Sequence, residues 1–129
     1  MKTKCIPAIG VLGGLLVISG PVFAHHGAAA FDMQNLTTVK GTVTKFLFIN
    51  PHALIFFDVV SEKGSVEHWI AEESSNNHLS RVGWTKNTIK VGRQVTIAGH
   101  RAKNDAYTLE LQCGECSVRD VGSNGVLQQ

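Results

Sequence analysis

From Thr37 the chain alternates. Val39, Gly41 and Val43 stand against Lys40, Thr42 and Thr44, the period-two pattern of a strand with one buried face. Thr37 to Ile49 is therefore predicted as a first strand, with Gly41 marking a bulge or a sharp coil. Asn50-Pro51-His52 interrupts the run, because proline has no N–H to give to a central ladder. Ala53 to Val60 resumes as a second strand, apolar on both faces until Asp58. Glu62-Lys63-Gly64-Ser65 reads as a hairpin turn, and Val66 to Glu72 as the returning strand.

Then the period changes. Ser74 or Ser75 can cap a short helix that runs to about Val82, with Gly83 ending it and Leu79 and Val82 facing the core. Trp84 to Val91 is a connection. Arg93 to His100 is predicted as a strand with Val95, Ile97 and Gly99 inward. Arg101 to Ala106 is a polar loop, and Tyr107 to Val118 a last strand. Three strands, a helix and two strands is the element order of a small OB-like five-stranded barrel, in which the helix plugs the barrel bottom. The fold class is thus all-β with one short helix. An open β-sandwich fragment is the alternative, disfavoured by a helix between the third and fourth strands.

The N-terminus has a different character. Lys2 and Lys4 precede an almost wholly apolar stretch from Ile6 to Ile18, then Gly20-Pro21 and Val22-Phe23-Ala24. This is the layout of a secretory signal peptide, residues 1–24, cut after Ala24 and implying a periplasmic or secreted protein. The apolar core falls short of the ~20 residues that a membrane span needs. No span is therefore expected after cleavage. Residues 25–36 read as an N-terminal arm, 37–119 as the barrel domain and 120–129 as a Gly/Ser/Asn/Gln-rich frayed tail.

Composition agrees with one globular domain. The 129 residues are 43% hydrophobic and 17% charged, which excludes a collagen-like repeat, a disordered chain and a polytopic membrane protein. The net charge of +2 comes from Lys2 and Lys4. From His25 onward basic and acidic residues balance, which gives no electrostatic case for nucleic acid.

Several short motifs carry a resemblance. They are His25-His26-Gly27, Phe31-Asp32-Met33, Lys40-Gly41-Thr42-Val43, Asn50-Pro51-His52, Gly83-Trp84-Thr85 and the run from Val95 to His100. In that order they resemble an uncharacterised family of small secreted bacterial proteins. Its members begin with Ala-His-His after the signal and carry Asn-Pro-His and Gly-His further on. The resemblance covers nearly all of the chain after the signal, but implies no activity. The chain departs from the family pattern at Gly27, where Ser is usual, and at Cys113-Gly114-Glu115-Cys116, where no cysteines are expected.

Histidine is the chemistry-bearing residue here. His25, His26, His52 and His100 fall on loops or termini, not within apolar runs. In an OB-like barrel the loop between strands one and two borders the same face as the loop between strands four and five. His52 and His100 are therefore expected to approach each other. An arm spanning up to roughly 40 Å can fold His25 and His26 over that face. After cleavage the free amine and Nδ1 of His25 can chelate one ion, and nitrogen donors in a plane favour Cu(II). A cut one residue earlier makes His26 the third residue of a different amine–amide–imidazole copper site. The few carboxylates expected around these positions disfavour Ca²⁺ and Mg²⁺. Each position also has a plainer reading: a hydrated terminus, a turn residue at His52, and a strand end facing water at His100. His68 and His78 are read as surface or structural.

Cys113 and Cys116 are the cysteines left after the signal is removed, and in an oxidising compartment they should pair. Extended strand would hold their Cα atoms roughly 10 Å apart, so pairing requires a turn or bulge at Gly114-Glu115. A redox dithiol or a soft Cu(I) or zinc pair is the alternative; no His follows Cys116, so covalent haem attachment is unsupported. Glu72-Glu73 precedes the helix and is read as favouring its N-terminus. Phe46 and Phe48 are core candidates, or else an exposed strip. The reading that follows is a periplasmic barrel that binds copper through His25, His26, His52 or His100. Its rival is a metal-free module that docks an envelope protein, a peptide or a small ligand on the same face. A copper redox enzyme ranks last, since no acid–base or nucleophile arrangement accompanies the histidines.

Overall fold

A computed structural model describes residues 27–104, 106–122 and 126–127. A 3-10 turn at Ala28–Ala30 leads into β1 (Phe31–Leu47), β2 (Leu54–Val60), β3 (Val66–Glu72), α1 (Asn76–Arg81), β4 (Gln94–Ala102), β5 (Thr108–Glu110), β6 (Ser117–Asp120) and β7 (Val126–Leu127). The barrel closes in the order β1-β2-β3-β5-β4 and back to β1. Every pairing around it is antiparallel except β3 with β5. The fold is the small all-β barrel that the element order predicts. No helix among the described residues is long and apolar enough to cross a membrane.

β1 closes the barrel because it serves two neighbours. Leu36 to Thr42 pairs with β4, while Thr42 to Leu47 pairs with β2. Gly41 lies where the strand passes from one partner to the other. A Cβ there would sit 2.6 Å from the Asp58 backbone oxygen and 2.8 Å from Phe57 Cδ2, so the close approach needs glycine. The bulge expected at Gly41 falls instead between Val43 and Lys45.

The core follows the strand alternation. Ile55 and Phe57, Trp69 and Ala71, and Val95 and Ile97 are buried, with Leu109, Leu111 and Val118 completing the interior. Ser75 caps α1 by accepting the His78 backbone N–H at 3.2 Å. Gly83 ends it at a φ of 91°. Leu79 is fully buried in the core, as expected. Val82 does not: it is 42% exposed, and Trp84 fills that position in the core. Phe46 and Phe48 pack against the core, Phe46 at 6.3 Å from the Trp84 ring, and form no exposed strip.

Three expectations need correction. The arm is strand from Phe31 onward, paired with β4 across an irregular stretch between Phe31 and Leu36. The last strand is two strands, because β5 pairs with β3 and with His100 and Arg101, whereas β6 pairs with Val95 to Ala98. The tail holds β7, which pairs with β6.

Candidate functional site

Glu72 and Glu110 are register partners at the ends of the parallel strands β3 and β5. Their neighbours Ala71, Leu109 and Leu111 are buried in the barrel. Alternation therefore puts both carboxylates on the outer face. There they line a cleft of about 360 Å³ with His52, Gln112, Met33 and Gly27. Its size is near the small end of ligand pockets. The two acids give this stretch of the cleft an acidic lining. Glu110 Oε1 accepts the Gln112 N–H at 2.7 Å, while its Oε2 is buried with no hydrogen-bond partner among the described residues. Such a buried acceptor carries a desolvation cost that a cation or donor in the cleft would offset.

His52 is fixed at the cleft wall. The loop that carries it, with a cis Asn50-Pro51 bond, is pinned by Ala53 N–H donating to Ser74 O and Glu73 N–H donating to Ala53 O. His52 Nδ1 lies 3.2 Å from Glu73 O and 3.5 Å from Glu72 Oε1. With a proton on Nδ1 the ring donates to Glu73 O, and with the lone pair there it accepts from Gln112 Nε2, 3.0 Å away. In the first of these tautomers the ring lone pair is on Nε2. A backbone carbonyl that fixes the tautomer is the usual outer support of a metal-binding imidazole.

The second predicted loop borders the same face. A neighbouring cleft, lined by Ala102, Asn104, Ala106 and Thr108, shares Phe31 and Glu72 as walls with the first. The outer surface of β3 and β5 thus lies between the loop of His52 and the loop after β4. The entering chain crosses it, Lys103 donating from Nζ to Ala29 O and from its backbone to Ala30 O.

His100 belongs to a different cluster. It lies inside β4, is 8% exposed, and does not end its strand facing water. Its Nδ1–H donates to Asp32 O at 3.0 Å and Asn35 O at 3.1 Å, the carbonyls of the irregular stretch in β1. That stretch is folded on Asp32, whose carboxylate accepts from Asn35 Nδ2 at 2.8 Å and Gln34 N–H at 3.2 Å. These two hydrogen bonds, the Asn35 one foremost, hold the Asp32 carboxyl below its ordinary pKa. A ring nitrogen of His100 lies within 4.8 Å of the sulfurs of Cys113 and Cys116.

Cys113 and Cys116 form a disulfide with Cα atoms 5.2 Å apart. The required turn is present: Cys116 N–H donates to Cys113 O across Gly114-Glu115. His68 is a surface residue paired with Asp58 at 2.7 Å, and His78 is exposed on α1. His25 and His26 lie outside the described residues, but Gly27, bonded to His26, lines the cleft.

Sequence reasoning missed Glu72 and Glu110. The sequence reading gives Glu72 and Glu73 one role, favouring the helix N-terminus, yet Glu73 is fully buried, its Oε2 accepting the Ser74 N–H. The site is not carboxylate-poor. The available signal was alternation: each acid stands next to a residue that faces the core.

The chain belongs to a family of unknown function, DUF6152, whose model matches residues 13–110. No curated protein and no solved structure matches it.

Proposed function

We propose that this family member is an exported barrel that binds a transition-metal ion, copper first, in the cleft where the chain enters the fold. The observation that carries the reading is that Gly27 and His52 line one cleft. His25 and His26 immediately precede Gly27 in the sequence. Cleavage after Ala24 would free the His25 amine there. The donors would be this amine, the imidazoles of His25 or His26, and His52. Glu72 and Glu110 would supply negative charge or oxygen ligands. Imidazole and amine nitrogens select Cu(II) over Ca²⁺ or Mg²⁺ even with two carboxylates present. His100, turned toward the disulfide, is left out of this set.

The test uses oxidised protein, its disulfide intact, so that the cysteines take no part. Mature protein beginning at His25 is expected to bind Cu(II) at least about tenfold more tightly than the same protein with its His25 amine acetylated, ~1.4 kcal/mol. His52→Ala is expected to weaken binding by about 10- to 100-fold and His78→Ala to leave it unchanged. Equal affinity across all four proteins overturns the metal reading and leaves the cleft as a metal-free docking face.

A further inference from the structure

The three side chains His100, Cys113 and Cys116 share no residue with the cleft. They are the described His, Cys, Asp and Glu residues whose ligand atoms converge within 4.8 Å as a group of three or more. We propose that reduction of the Cys113–Cys116 disulfide opens a Cu(I) site, with both sulfurs and His100 Nε2 as ligands. The site is independent of the cleft reading.

Three observations support the assignment. First, the donors are already gathered, and two of them are shielded from water: His100 is 8% exposed and Cys116 9%. Second, the tautomer of the imidazole leaves a nitrogen lone pair for coordination. Its Nδ1–H is committed to the carbonyls of Asp32 and Asn35, which places the lone pair on Nε2 and fixes the ring plane. Third, the turn that joins the cysteines is open, with Gly114 and Glu115 exposed and Cys113 half-buried. A reductant can approach the Cys113 sulfur along that side.

Ligand chemistry selects the ion. Two thiolates and one imidazole are a soft donor set, suited to Cu(I) or Zn(II). Structural zinc is almost always four-coordinate. The group here supplies three ligands, which Cu(I) accepts in a trigonal arrangement.

The redox step balances with an external dithiol. That dithiol gives two electrons and two protons and becomes a disulfide, while the Cys113–Cys116 S–S bond breaks to two thiols. Cu(I) then replaces the two thiol protons, with no change in its own oxidation state. The same pair of sulfurs cannot hold both the disulfide and the ion, so the redox state of the cysteines gates the site.

Titration of anaerobic protein with Cu(I) against a chromophoric competitor tests this. Fully reduced protein is expected to take one equivalent more than oxidised protein. X-ray absorption of the added copper should show two sulfurs and one nitrogen. Cys113→Ser/Cys116→Ser should lose the extra equivalent, and His100→Gln should lower its affinity about tenfold or more while removing the nitrogen from the spectrum. The comparison of oxidised and reduced wild type needs no substitution, so it stands even if a variant fails to fold. Equal uptake by the two redox forms overturns the site. A sulfur-only spectrum in reduced wild type overturns the role of His100. Because the cleft is tested with Cu(II) on oxidised protein, either site can fail while the other stands.

Discussion

At the residue scale the fold is most exacting where backbones touch. Gly99 faces inward on β4 against β5, and a Cβ there would sit 2.7 Å from Glu110 O and 3.3 Å from Leu109 Cβ. The blocking oxygen is backbone, held in the ladder that closes the barrel, so it cannot turn aside as a side chain would. Gly99→Ala is expected to cost about 1–3 kcal/mol by chemical denaturation, the usual effect of overfilling a packed interior. Gly114→Ala, where a Cβ meets nothing within 4 Å, should stay within about 0.5 kcal/mol. A neutral Gly99→Ala would show that β4 and β5 can separate at no cost. Histidines were legible at this scale only as residue types. Burial of His100 depends on carbonyls of β1, which are 65 and 68 residues away in sequence, and no local pattern encodes that.

At the element scale the strand and helix order was legible because it rests on local alternation and on one capping serine. What was not legible has a physical cause in each case. Asp32, Met33, Gln34 and Asn35 lack alternation because β1 is irregular there, so strand and arm look alike in sequence. The break between β5 and β6 did leave a trace: buried positions are odd at Leu109 and Leu111, then even at Cys116 and Val118. That parity change requires residues to leave the ladder between them, and the disulfide turn occupies the gap. Helix α1 has six residues and cannot be stable alone, so burial of Leu79 in the core must hold it. Leu79→Ala is expected to cost about 2–5 kcal/mol, while Val82→Ala, at a 42% exposed site, should change little. Thermal unfolding of the two variants side by side checks it, and equal effects would mean that burial of Leu79 does not anchor α1.

At the scale of the whole molecule, closure brings distant segments together and also makes stability depend on pH. Arg93, just before β4, donates from Nε at 3.1 Å and from an Nη at 2.7 Å to Asp120 Oδ2 at the end of β6. Gly122 N–H donates to the other carboxylate oxygen at 2.9 Å. The Arg93 hydrogen bond, then that from Gly122, holds the Asp120 carboxyl below its ordinary value of 3.8. Asp32, held by Asn35 and Gln34, is shifted the same way. The folded chain therefore takes up these protons less readily than the unfolded chain. The stabilisation is complete above the ordinary value and is lost as pH falls through the lower folded values. Both groups are near water, and exposed pairs contribute little, so the effect should be small and reduced by salt. The expected result is a melting temperature that falls between about pH 6 and pH 2.5, with a shallower fall in Asp120→Asn, whose side chain has no proton to gain. The variant should also melt slightly below wild type at pH 6 and converge with it in acid. Parallel curves at every pH would mean that the Arg93–Asp120 pair clasps β6 to the barrel without contributing to the free energy of folding.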